Sequence, residues 1–517
     1  MKIKFTYLNL FLGCIFLLKI NAIFSPFSVA EELLKIELNT EIKKGNFLIG
    51  IKQYLGGVND SFSKKKNINF ITDKSFLNLR SSNGIKHKSK QITITWMDIP
   101  IKNPKTIERV VFGPFASYES AKKQADKLKE KGFETTVAYP KDWEVWIPFE
   151  DDLPEFELKH KISRNIENFQ ITPFLSTKYY FKKLEGPIHI FAEEEIKIND
   201  VNFGKNLYLI KDSYGTWTLI QKIKFDDYLE GVLPYEMGPS SPLEALKAQA
   251  VIARTWGIFN SSRFNMDKYH LCVSTQCQVY KPSEIKHKKV QKAIEATSNL
   301  IIKYENQPIN AFYHGSNGGL SARAGESWQM QDYSYFNSII DGPKSLNKIF
   351  KLPILNESEL NNFLDFDKEQ FYGSKHSLFR WNKKISTAKI KELLIKSNLI
   401  NNNENILDLN VIERGSSGRA LKLEIQTNKV DKSIVLAKDN IRRVLSFIPS
   451  NLFTINKLSD DLWLLRGGGF GHGVGLSQSG AIEMAKLGFS YEQILNHYYR
   501  NAKLKKFEIL SQWKLSN

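Results

Sequence analysis

Glu236 is the residue whose type and setting best fit acid–base chemistry. It lies between Pro234 and the pair Gly238-Pro239, directly ahead of a stretch with strong helix signals. Because prolines and glycines interrupt regular structure, we expect Glu236 on a stiff turn at the start of that helix. A carboxyl group on rigid backbone can give and take a proton at a fixed point of a bound substrate. An exposed loop glutamate that is merely solvated is the alternative interpretation.

The helix that must position this glutamate is well defined by its own sequence. Ser241 can act as the N-cap, Pro242 suits the first helical position, and Glu244 completes a capping box three residues after Ser241. The following residues are good helix formers and carry one apolar stripe at three- and four-residue steps: Leu243, Leu246, Ala250, Ala253 and Trp256. We therefore predict a central core helix from Leu243 to Trp256, with Glu244 as a capping residue.

Four sequence blocks occur in the same order as in a known family. The first, Asp226–Trp256, holds the glutamate and the helix, and the others are Cys277-Gln-Val-Tyr280, Tyr313–Ala322 and Gly467–Ala481. Together they resemble the SpoIID/LytB family, which is named after the stage II sporulation protein D and the amidase enhancer protein. The resemblance implies a lytic transglycosylase that cleaves peptidoglycan glycan strands whose stem peptides have been removed. It also implies that Glu236 is the acid and the base.

Only one carboxyl group stands out, and this limits the reaction. Glycosidic cleavage normally uses two carboxyl groups, whereas a lytic transglycosylase needs one, because the muramic acid 6-hydroxyl attacks the anomeric carbon. Asp226, Asp227 and Glu230 would supply a second group for a hydrolase, but we assign them to a strand end and turn. The nearby helix N-terminus lowers the pKa of Glu236, so burial must compensate if this residue is to act as an acid. Three aromatic residues are candidates for the apolar wall: Tyr235, Trp256 and Tyr280.

Six further residues are candidates for substrate binding: Gln249, Arg254, Tyr280, His314, His472 and Gln478. Gln249 and Arg254 can bind sugar hydroxyls or a lactyl carboxylate, although solvated helix residues are the alternative. The stretch Gly467–Gly475 lacks the Gly-Lys-Ser/Thr ending of a P-loop, so we expect its glycines to let the backbone approach a sugar chain. His472 would then point into the groove beside His314, and a buried structural histidine is the alternative.

A compact cluster of His270, Cys272 and Cys277 offers ligands that zinc prefers. Three ligands are one fewer than a closed structural zinc site needs, and the His-x-Cys spacing is not a standard ligand pair. In an exported chain, the two cysteines can equally form a disulfide or remain free thiols. Zinc is therefore one of three open alternatives and the only cofactor that the sequence suggests.

The amino-terminal residues predict export. Two lysines precede an apolar run over 8–18, and Ser28-Val-Ala30 supplies small residues for cleavage before Glu31. We expect a signal peptide over 1–30, no stable membrane span after its removal, and a location in the periplasm or cell envelope. An uncleaved anchor is the alternative. Cys14 follows Leu-Gly in the manner of a lipobox, but it lies inside the apolar run.

The rest of the chain predicts a mixed α+β fold in which a smaller α/β region precedes a sheet-rich catalytic domain. We place the N-terminal region at 31–165, a β-rich connecting segment at 166–214 and the catalytic domain at 215–505. Residues 31–100 look loosely structured. Helices are expected at 286–300, 386–400 and 481–500, and strands over 406–465.

A βαβ unit is predicted near 105–150 of the N-terminal region. It consists of a strand over Arg109–Phe115, a helix over Ser117–Lys131 and a strand over Glu134–Tyr139. Through its Gly113-Pro-Phe115 turn and its helix, the unit resembles part of a SPOR domain, a small module known for binding denuded glycan strands. A βαβ unit without a special function is the alternative.

The net charge of +18 predicts attraction to polyanions such as nucleic acid, anionic lipid or cell-wall polymers. Charge alone does not choose among them, and part of it can reflect an AT-rich genome. From the motifs we expect glycan strands as the partner, an N-acetylmuramoyl-L-alanine amidase as a second one, and no nucleic acid. A non-catalytic wall-binding protein that enhances such an amidase is the alternative function.

Overall fold

The computed structural model describes residues 38–57, 60, 66–151, 154–282, 286–429 and 433–507. Helix accounts for 24% and strand for 36% of the chain, so the predicted mixed α+β class is confirmed. The predicted signal peptide, Cys14 and the cleavage site before Glu31 lie outside the described residues. In the described part of the chain, no helix is both long and apolar enough to cross a membrane.

The helices are mostly short. Apart from the helix Tyr118–Glu130 and the helical residues 38–43, the helices of the described chain come after the long run of strands that ends at Lys224. The helices of the described chain are α1 (Tyr118–Glu130), α2 (Phe225–Glu230), α3 (Leu233–Glu236), α4 (Leu243–Phe259), α5 (Lys288–Ala296), α6 (Ala324–Ser327), α7 (Leu346–Ile349), α8 (Glu357–Asp365), α9 (Thr387–Lys396), α10 (Asp439–Val444), α11 (Gln478–Lys486) and α12 (Tyr491–Tyr498). Residues 38–43 are also helical. Single 3-10 turns form at Asn265–Asp267 and Lys368–Gln370.

Strands make up most of the N-terminal half and recur to the end of the described chain. In chain order they are β1 (Asn46–Leu55), β2 (Asn67–Ile71), β3 (Leu77–Ser81), β4 (Lys86–Ser89), β5 (Gln91–Phe115), β6 (Thr136–Ala138), β7 (Trp143–Pro148), β8 (His160–Ser176), β9 (Phe181–Lys183), β10 (Ile188–Phe191), β11 (Lys197–Ile198), β12 (Val201–Asn202), β13 (Asn206–Lys211), β14 (Trp217–Lys224), β15 (Leu271–Cys272), β16 (Leu300–Tyr304), β17 (Gln307–Pro308), β18 (Tyr313–His314), β19 (Trp381–Ser386), β20 (Ile406–Arg414), β21 (Ala420–Thr427), β22 (Ile434–Ala437), β23 (Phe453–Ser459), β24 (Leu462–Gly467), β25 (Leu476–Ser477) and β26 (Lys503–Lys506).

Two large sheets organise the N-terminal half. One has the strand order β15-β1-β14-β13-β10-β3-β4, and the other has the order β12-β11-β2-β5-β7-β6, with β8 and β9 added beside β5. The small sheets are β17-β16-β26, β18-β25, β19-β24-β23 and β20-β21-β22. Most pairs are antiparallel, but β18 and β25 run parallel, and this short pair lies next to the candidate site.

The central helix predicted from Leu243 to Trp256 is confirmed as α4, and more of its surface is buried than its apolar stripe implied. Its side chains from Ala245 to Ile258 are almost all buried, including the polar Gln249, Arg254 and Thr255. The predicted capping box was wrong. Pro242 is the N-cap, and Ser241 lies one residue too early, so its hydroxyl donates to the Met237 carbonyl instead.

Glu244 therefore has a different role from the one expected. Its carboxylate accepts the backbone N–H of Tyr491 at 2.9 Å and pairs with Lys247 at 2.7 Å. Tyr491 is the first residue of α12, so Glu244 joins the starts of two helices. The single helix predicted over 481–500 was wrong in this region, because Gly488 adopts a φ of 88° and Ser490 caps a new helix with a complete capping box.

The expectation of a loosely structured segment over 31–100 was also wrong for its described residues. Strand β1 pairs along its length with β14 and, over two residues, with β15. Its side chains Phe47 and Ile49 belong to the same core as α4. The predicted domain boundaries at 165/166 and 214/215 remain predictions, and both large sheets include strands from more than one of the predicted segments.

The predicted βαβ unit forms with one change. Ser117 caps α1 by accepting the N–H of Ser120 at 3.2 Å, and α1 packs Ala121, Ala125 and Leu128 into a core. The second strand, β6, pairs with β7 rather than with β5, so β7 lies between the two predicted strands. The SPOR-like interpretation remains a prediction.

Arg254 generates a stability prediction. Its guanidinium is 1% exposed and donates to Asp226 at 2.9 Å, to the Thr297 carbonyl at 2.9 Å and to the Leu300 carbonyl at 3.0 Å. Arg254→Met should lower the free energy of unfolding by about 3 kcal/mol, because it removes the buried hydrogen bonds of the guanidinium to Asp226 and to two carbonyls. Urea denaturation followed by circular dichroism measures this loss.

A matched exposed ion pair provides the control. Lys422 pairs with Glu413 at 2.7 Å with both side chains about half exposed. Lys422→Met should change the unfolding free energy by less than about 1 kcal/mol. Equal effects of the two substitutions would contradict the structural role assigned to Arg254.

Candidate active site

Glu236 is the last residue of the single helical turn α3. We predicted that Pro234 and Gly238-Pro239 exclude regular structure here, and this was wrong in part. Pro234 lies in the first turn of α3, where a backbone N–H has no acceptor within the helix, so its missing N–H costs no hydrogen bond. Gly238 then adopts a φ of 82° and ends the turn ahead of α4. The carboxyl group is therefore held on a short rigid element, as the sequence predicted.

Two donors fix the orientation of the Glu236 carboxyl group. The backbone N–H of Val279 donates to Oε1 at 2.8 Å, and the Gln478 side-chain amide donates to Oε2 at 3.4 Å. Val279 belongs to the block Cys277–Tyr280, and Gln478 is the first residue of α11. Three blocks that are distant in sequence thus meet at one carboxyl group.

Burial raises the pKa of Glu236 above its ordinary value. The hydrogen bonds from Val279 and Gln478 and the contact with Tyr313 lower the pKa but do not cancel the effect of burial. No second carboxyl group contributes to the pKa of Glu236 among the residues that the structure describes. The carboxyl group consequently keeps a proton to higher pH than an exposed glutamate does.

A buried chain of hydrogen bonds connects Glu236 to α4. The Gln278 side-chain amide donates to the Ala253 carbonyl of α4 at 3.2 Å, and its oxygen accepts the Tyr313 hydroxyl at 3.0 Å. Tyr313 in turn contacts the Glu236 carboxyl group. Because Gln278 is 1% exposed, its orientation is fixed by these partners and not by solvent. The helix thus positions the acid indirectly, through Gln278 and Tyr313.

The glycine-rich stretch brings Gln478 to this site by packing against the protein itself. Strand β25 runs parallel to β18, with Tyr313 opposite Leu476 and His314 opposite Ser477. A side chain at Gly475 would overlap the Phe312 carbonyl, and one at Gly473 would overlap the Arg419 guanidinium. Packing within the protein therefore requires glycine at both positions, and the approach of this stretch to a sugar chain stays a prediction.

Of the predicted substrate-binding residues, Gln478 is the one that hydrogen-bonds to Glu236 in the part of the chain that the structure describes. Gln249 is fully buried on α4, and neither end of its amide has a hydrogen-bond partner in the described chain. Arg254 is committed to Asp226 and two carbonyls. Tyr280 is buried, stacks on Tyr228 with ring centroids 5.0 Å apart and donates to Gln221 at 2.9 Å. Their binding roles remain predictions, but the donors of Arg254 and Tyr280 are already used within the protein.

The two histidines lie together on the other side of the β18 strand. His314 follows Tyr313 directly, and successive side chains of a strand point to opposite faces. The rings of His314 and His472 have centroids 5.2 Å apart, and burial lowers the pKa of both, to about 3 for His472. They are therefore neutral near pH 7. The alternative of buried histidines fits this placement, although the Nε2 atom of His314 has no partner.

The candidate zinc ligands do not fit a zinc ion. Cys272 and Cys277 form a disulfide, so neither sulfur is a thiolate. His270 is buried, accepts the Leu48 N–H through Nδ1 at 2.8 Å and reaches the Leu38 carbonyl through Nε2 at 3.1 Å. No group of three or more His, Cys, Asp or Glu side chains suited to a metal is found over the described ranges. Of the three alternatives for the cysteines, the structure has the disulfide.

Sequence reasoning missed Gln278, Val279 and Tyr313 as partners of the acid. Gln278 and Val279 lie inside the block Cys277–Tyr280, and Tyr313 opens the next block. The sequence blocks therefore contained the residues that surround Glu236. The order of the blocks, however, does not predict which backbone N–H or hydroxyl faces the carboxyl group.

The fold and site define an α+β protein in which the partly buried carboxyl group of Glu236, with a raised pKa, lies beside a central helix. Residues 213–304, which contain Glu236 and α4, match the family described as Stage II sporulation protein. The resemblance read from the motifs is thus confirmed, and the chain carries a SpoIID domain. Residues 322–475 match a domain of unknown function, DUF8618.

Several curated relatives align over more than half of the chain. The Bacillus subtilis stage II sporulation protein D is 27% identical over 301 residues, which is 55% of this chain and 75% of the relative. The Bacillus subtilis amidase enhancer is 27% identical over 306 residues, covering 54% of this chain and 40% of the relative. An uncharacterized protein of Brachyspira hyodysenteriae is 27% identical over 316 residues, covering 60% of this chain and 73% of the relative.

The raised pKa of Glu236 predicts a pH-dependent effect on stability. A carboxyl group whose pKa is higher in the folded than in the unfolded state destabilises the fold above both pKa values and has no effect below both. Glu236→Gln removes this charge and should raise the melting temperature at pH 7. The gain should shrink as the pH falls through the pKa of Glu236 toward that of an unfolded glutamate. A stabilisation that is constant from pH 4 to pH 8 would contradict the burial effect.

The disulfide gives a second prediction at this site. It closes a short loop with a sequence separation of 5, for which the loss of chain entropy predicts about 2 kcal/mol of stabilisation. A reductant should therefore lower the melting temperature, and a chelator without reductant should leave it unchanged. Zinc that copurifies in one-to-one ratio, with melting induced by the chelator, would overturn this assignment.

Proposed function

We propose that this protein is an exported lytic transglycosylase that cleaves peptidoglycan glycan strands lacking stem peptides. The observation that carries the proposal is the single carboxyl group of Glu236, whose pKa is raised by burial and whose two oxygens are oriented by Val279 and Gln478. Such a group keeps its proton to higher pH than an exposed glutamate does, and it can take the proton back after release. The SpoIID domain and the names of the relatives support a role in the cell wall.

The absence of a second carboxyl group from the interactions of Glu236 favours a transglycosylase over a hydrolase. The three upstream acidic residues are occupied elsewhere or interact with one another. Asp226 binds Arg254 and Ser298, and Glu230 accepts the Gln291 amide at 3.2 Å. Asp227 interacts with Glu230 and Lys286. An inverting or retaining hydrolase would need one of them across the scissile bond from Glu236.

The reaction then runs with one proton carrier. Protonated Glu236 donates its proton to the glycosidic oxygen, and the bond from that oxygen to the anomeric carbon of the muramic acid residue breaks. The resulting carboxylate accepts the proton of the 6-hydroxyl of the same residue, whose oxygen attacks the anomeric carbon and closes a 1,6-anhydro ring. No water is consumed, and Glu236 regains its proton for the next cycle.

Two neighbours of Glu236 have distinct parts in this scheme. The Val279 N–H stabilises the carboxylate formed after proton transfer, because a hydrogen bond to the charged form favours it. Tyr235 precedes Glu236, is 44% exposed and has the Lys281 ammonium 4.9 Å from its ring centroid. An exposed ring beside the acid offers a face on which a sugar can stack.

A non-catalytic role is the second candidate, and the name of one relative favours it. The amidase enhancer of Bacillus subtilis aligns over 54% of this chain. In that case the same cleft binds a glycan strand without cleaving it, and an N-acetylmuramoyl-L-alanine amidase is the partner. The intact Glu236 site favours the enzyme.

Product analysis decides between these functions. Purified residues 31–517 are incubated with amidase-treated, peptide-free glycan strands, and the products are identified by mass spectrometry. We expect fragments that end in 1,6-anhydro-muramic acid. Glu236→Gln should lower the turnover by a factor on the order of 10² to 10⁴, the usual contribution of a general acid and base.

The upstream carboxylates provide matched controls. Asp227→Asn and Glu230→Gln should retain the activity, since neither side chain interacts with Glu236 in the described chain. Products with reducing ends that disappear in either variant would show a hydrolase with two carboxyl groups. A folded wild-type protein that binds the strands without cutting them would move the assignment to the amidase enhancer.

A further inference from the structure

An exposed lysine lies at the edge of the candidate active site. Lys281 follows Val279, whose N–H binds the Glu236 carboxyl group, by two residues, which span at most about 7 Å. The Lys281 ammonium group also lies 4.9 Å from the centroid of the Tyr235 ring, and Tyr235 directly precedes Glu236. Two separate connections, one through each chain segment, therefore place this cation beside the acid.

The backbone at Lys281 is held by close packing, while its side chain is exposed. The Lys281 N–H donates to the Gly231 carbonyl at 3.0 Å. A side chain at Gly231 would overlap both the Tyr280 ring and the Lys281 carbonyl, so the two segments are in tight contact. Within the described chain, no carboxylate forms an ion pair with the Lys281 ammonium group. The positive charge is therefore held near Glu236 and remains accessible to an anionic group of a ligand.

Removal of the stem peptide changes the charge of muramic acid. An amide bond joins the peptide to the lactyl group of this sugar, and hydrolysis of that bond leaves a carboxylate. The lactyl group is attached to C3 of the same ring whose anomeric carbon reacts in the proposed cleavage. A muramic acid residue that presents its anomeric carbon to Glu236 therefore brings this carboxylate into the surroundings of the acid, where Lys281 lies.

We propose that the Lys281 ammonium group binds the lactyl carboxylate and thereby selects strands whose stem peptides have been removed. The inference rests on the proposed function, because it takes the same strands as the ligand of the Glu236 site. A strand with intact stem peptides has uncharged lactyl amides, so it forms no ion pair with Lys281 and binds less tightly. Hydrolysis of the lactyl amide then precedes cleavage at this site, and an N-acetylmuramoyl-L-alanine amidase is the class of enzyme that performs it.

Equilibrium binding measures this selection without depending on cleavage. The protein is the Glu236→Gln variant of residues 31–517, and the probes are a peptide-free tetrasaccharide of the glycan strand and the same tetrasaccharide with its lactyl carboxylates converted to methyl amides. A methyl amide is small and uncharged, so it separates the effect of charge from the bulk of a stem peptide. Physiological salt screens the long-range attraction of the basic chain.

We expect the carboxylate form to bind more tightly than the amide form. Lys281→Gln should lower the ratio of the two affinities by up to about fivefold, the contribution of an exposed ion pair. Lys281→Arg should keep the ratio, because it keeps the charge, and Lys281→Glu should lower it further. An unchanged ratio in Lys281→Gln, or no binding of either tetrasaccharide, would overturn the inference.

Lys289→Gln is the matched control. Lys289 is exposed, and its ammonium group donates at 3.1 Å to the carbonyl of Ser240, four residues after Glu236. The substitution removes the same charge from the same part of the molecule and should change the affinity ratio much less than Lys281→Gln does. Equal decreases in the two variants would show a general effect of positive charge and would contradict a specific role of Lys281.

The inference and the proposed function can fail separately. If the chain with intact Glu236 releases no anhydro product but the affinity ratio depends on Lys281, the cleavage proposal fails and the selection stands. If that chain cleaves the strands and the ratio does not depend on Lys281, only the selection fails. In an active chain, Lys281→Gln should raise KM and leave kcat nearly unchanged, because the carboxylate is bound equally in the ground state and in the transition state.

Discussion

The burial of α4 on every side is the constraint on which the rest of the site depends. The polar side chains of so enclosed a helix are kept from solvent: Arg254 binds Asp226 and the Thr297 and Leu300 carbonyls, whereas the Gln249 amide has no partner in the described chain. The same helix presents the Ala253 carbonyl to Gln278. The polar contacts of α4 thus fix the segments around it. One of these segments carries Val279, the closest hydrogen-bond donor to Glu236.

The state of Glu236 reflects a competition between desolvation and hydrogen bonding. Burial favours the neutral acid, whereas the donors Val279 and Gln478 and the contact with Tyr313 favour the carboxylate. Burial has the larger effect, and the donors keep the charged form accessible. A group balanced in this way suits a reaction in which one residue must release a proton and recover it. A more polar site would leave Glu236 charged, and a wholly apolar one would make the carboxylate too costly.

The sequence by itself determined the elements whose signals are local. The helix α4, the rigid position of Glu236 and the mixed α+β class follow from proline and glycine positions and from apolar periodicity. The four ordered blocks also identified the SpoIID resemblance. Local signals were less reliable at helix ends, where a shift of one residue changes the role of a side chain. Ser241, for example, has the chemistry of an N-cap but lies one residue before the position that caps.

Only the tertiary structure decided which groups surround the acid. The donors to Glu236 are Val279 and Gln478, Tyr313 contacts the same carboxyl group, and no periodicity or spacing relates segments so far apart in the chain. The same holds for the glycines at 473 and 475, whose small size accommodates Arg419 and Phe312 of this protein. Tertiary structure also decided between zinc and a disulfide at His270, Cys272 and Cys277. Spacing in the sequence does not determine whether the three side chains point toward one metal ion. The sequence therefore pointed to Glu236, and the long-range packing determined the pKa and the partners of its carboxyl group, because burial and hydrogen bonding arise only when distant segments meet.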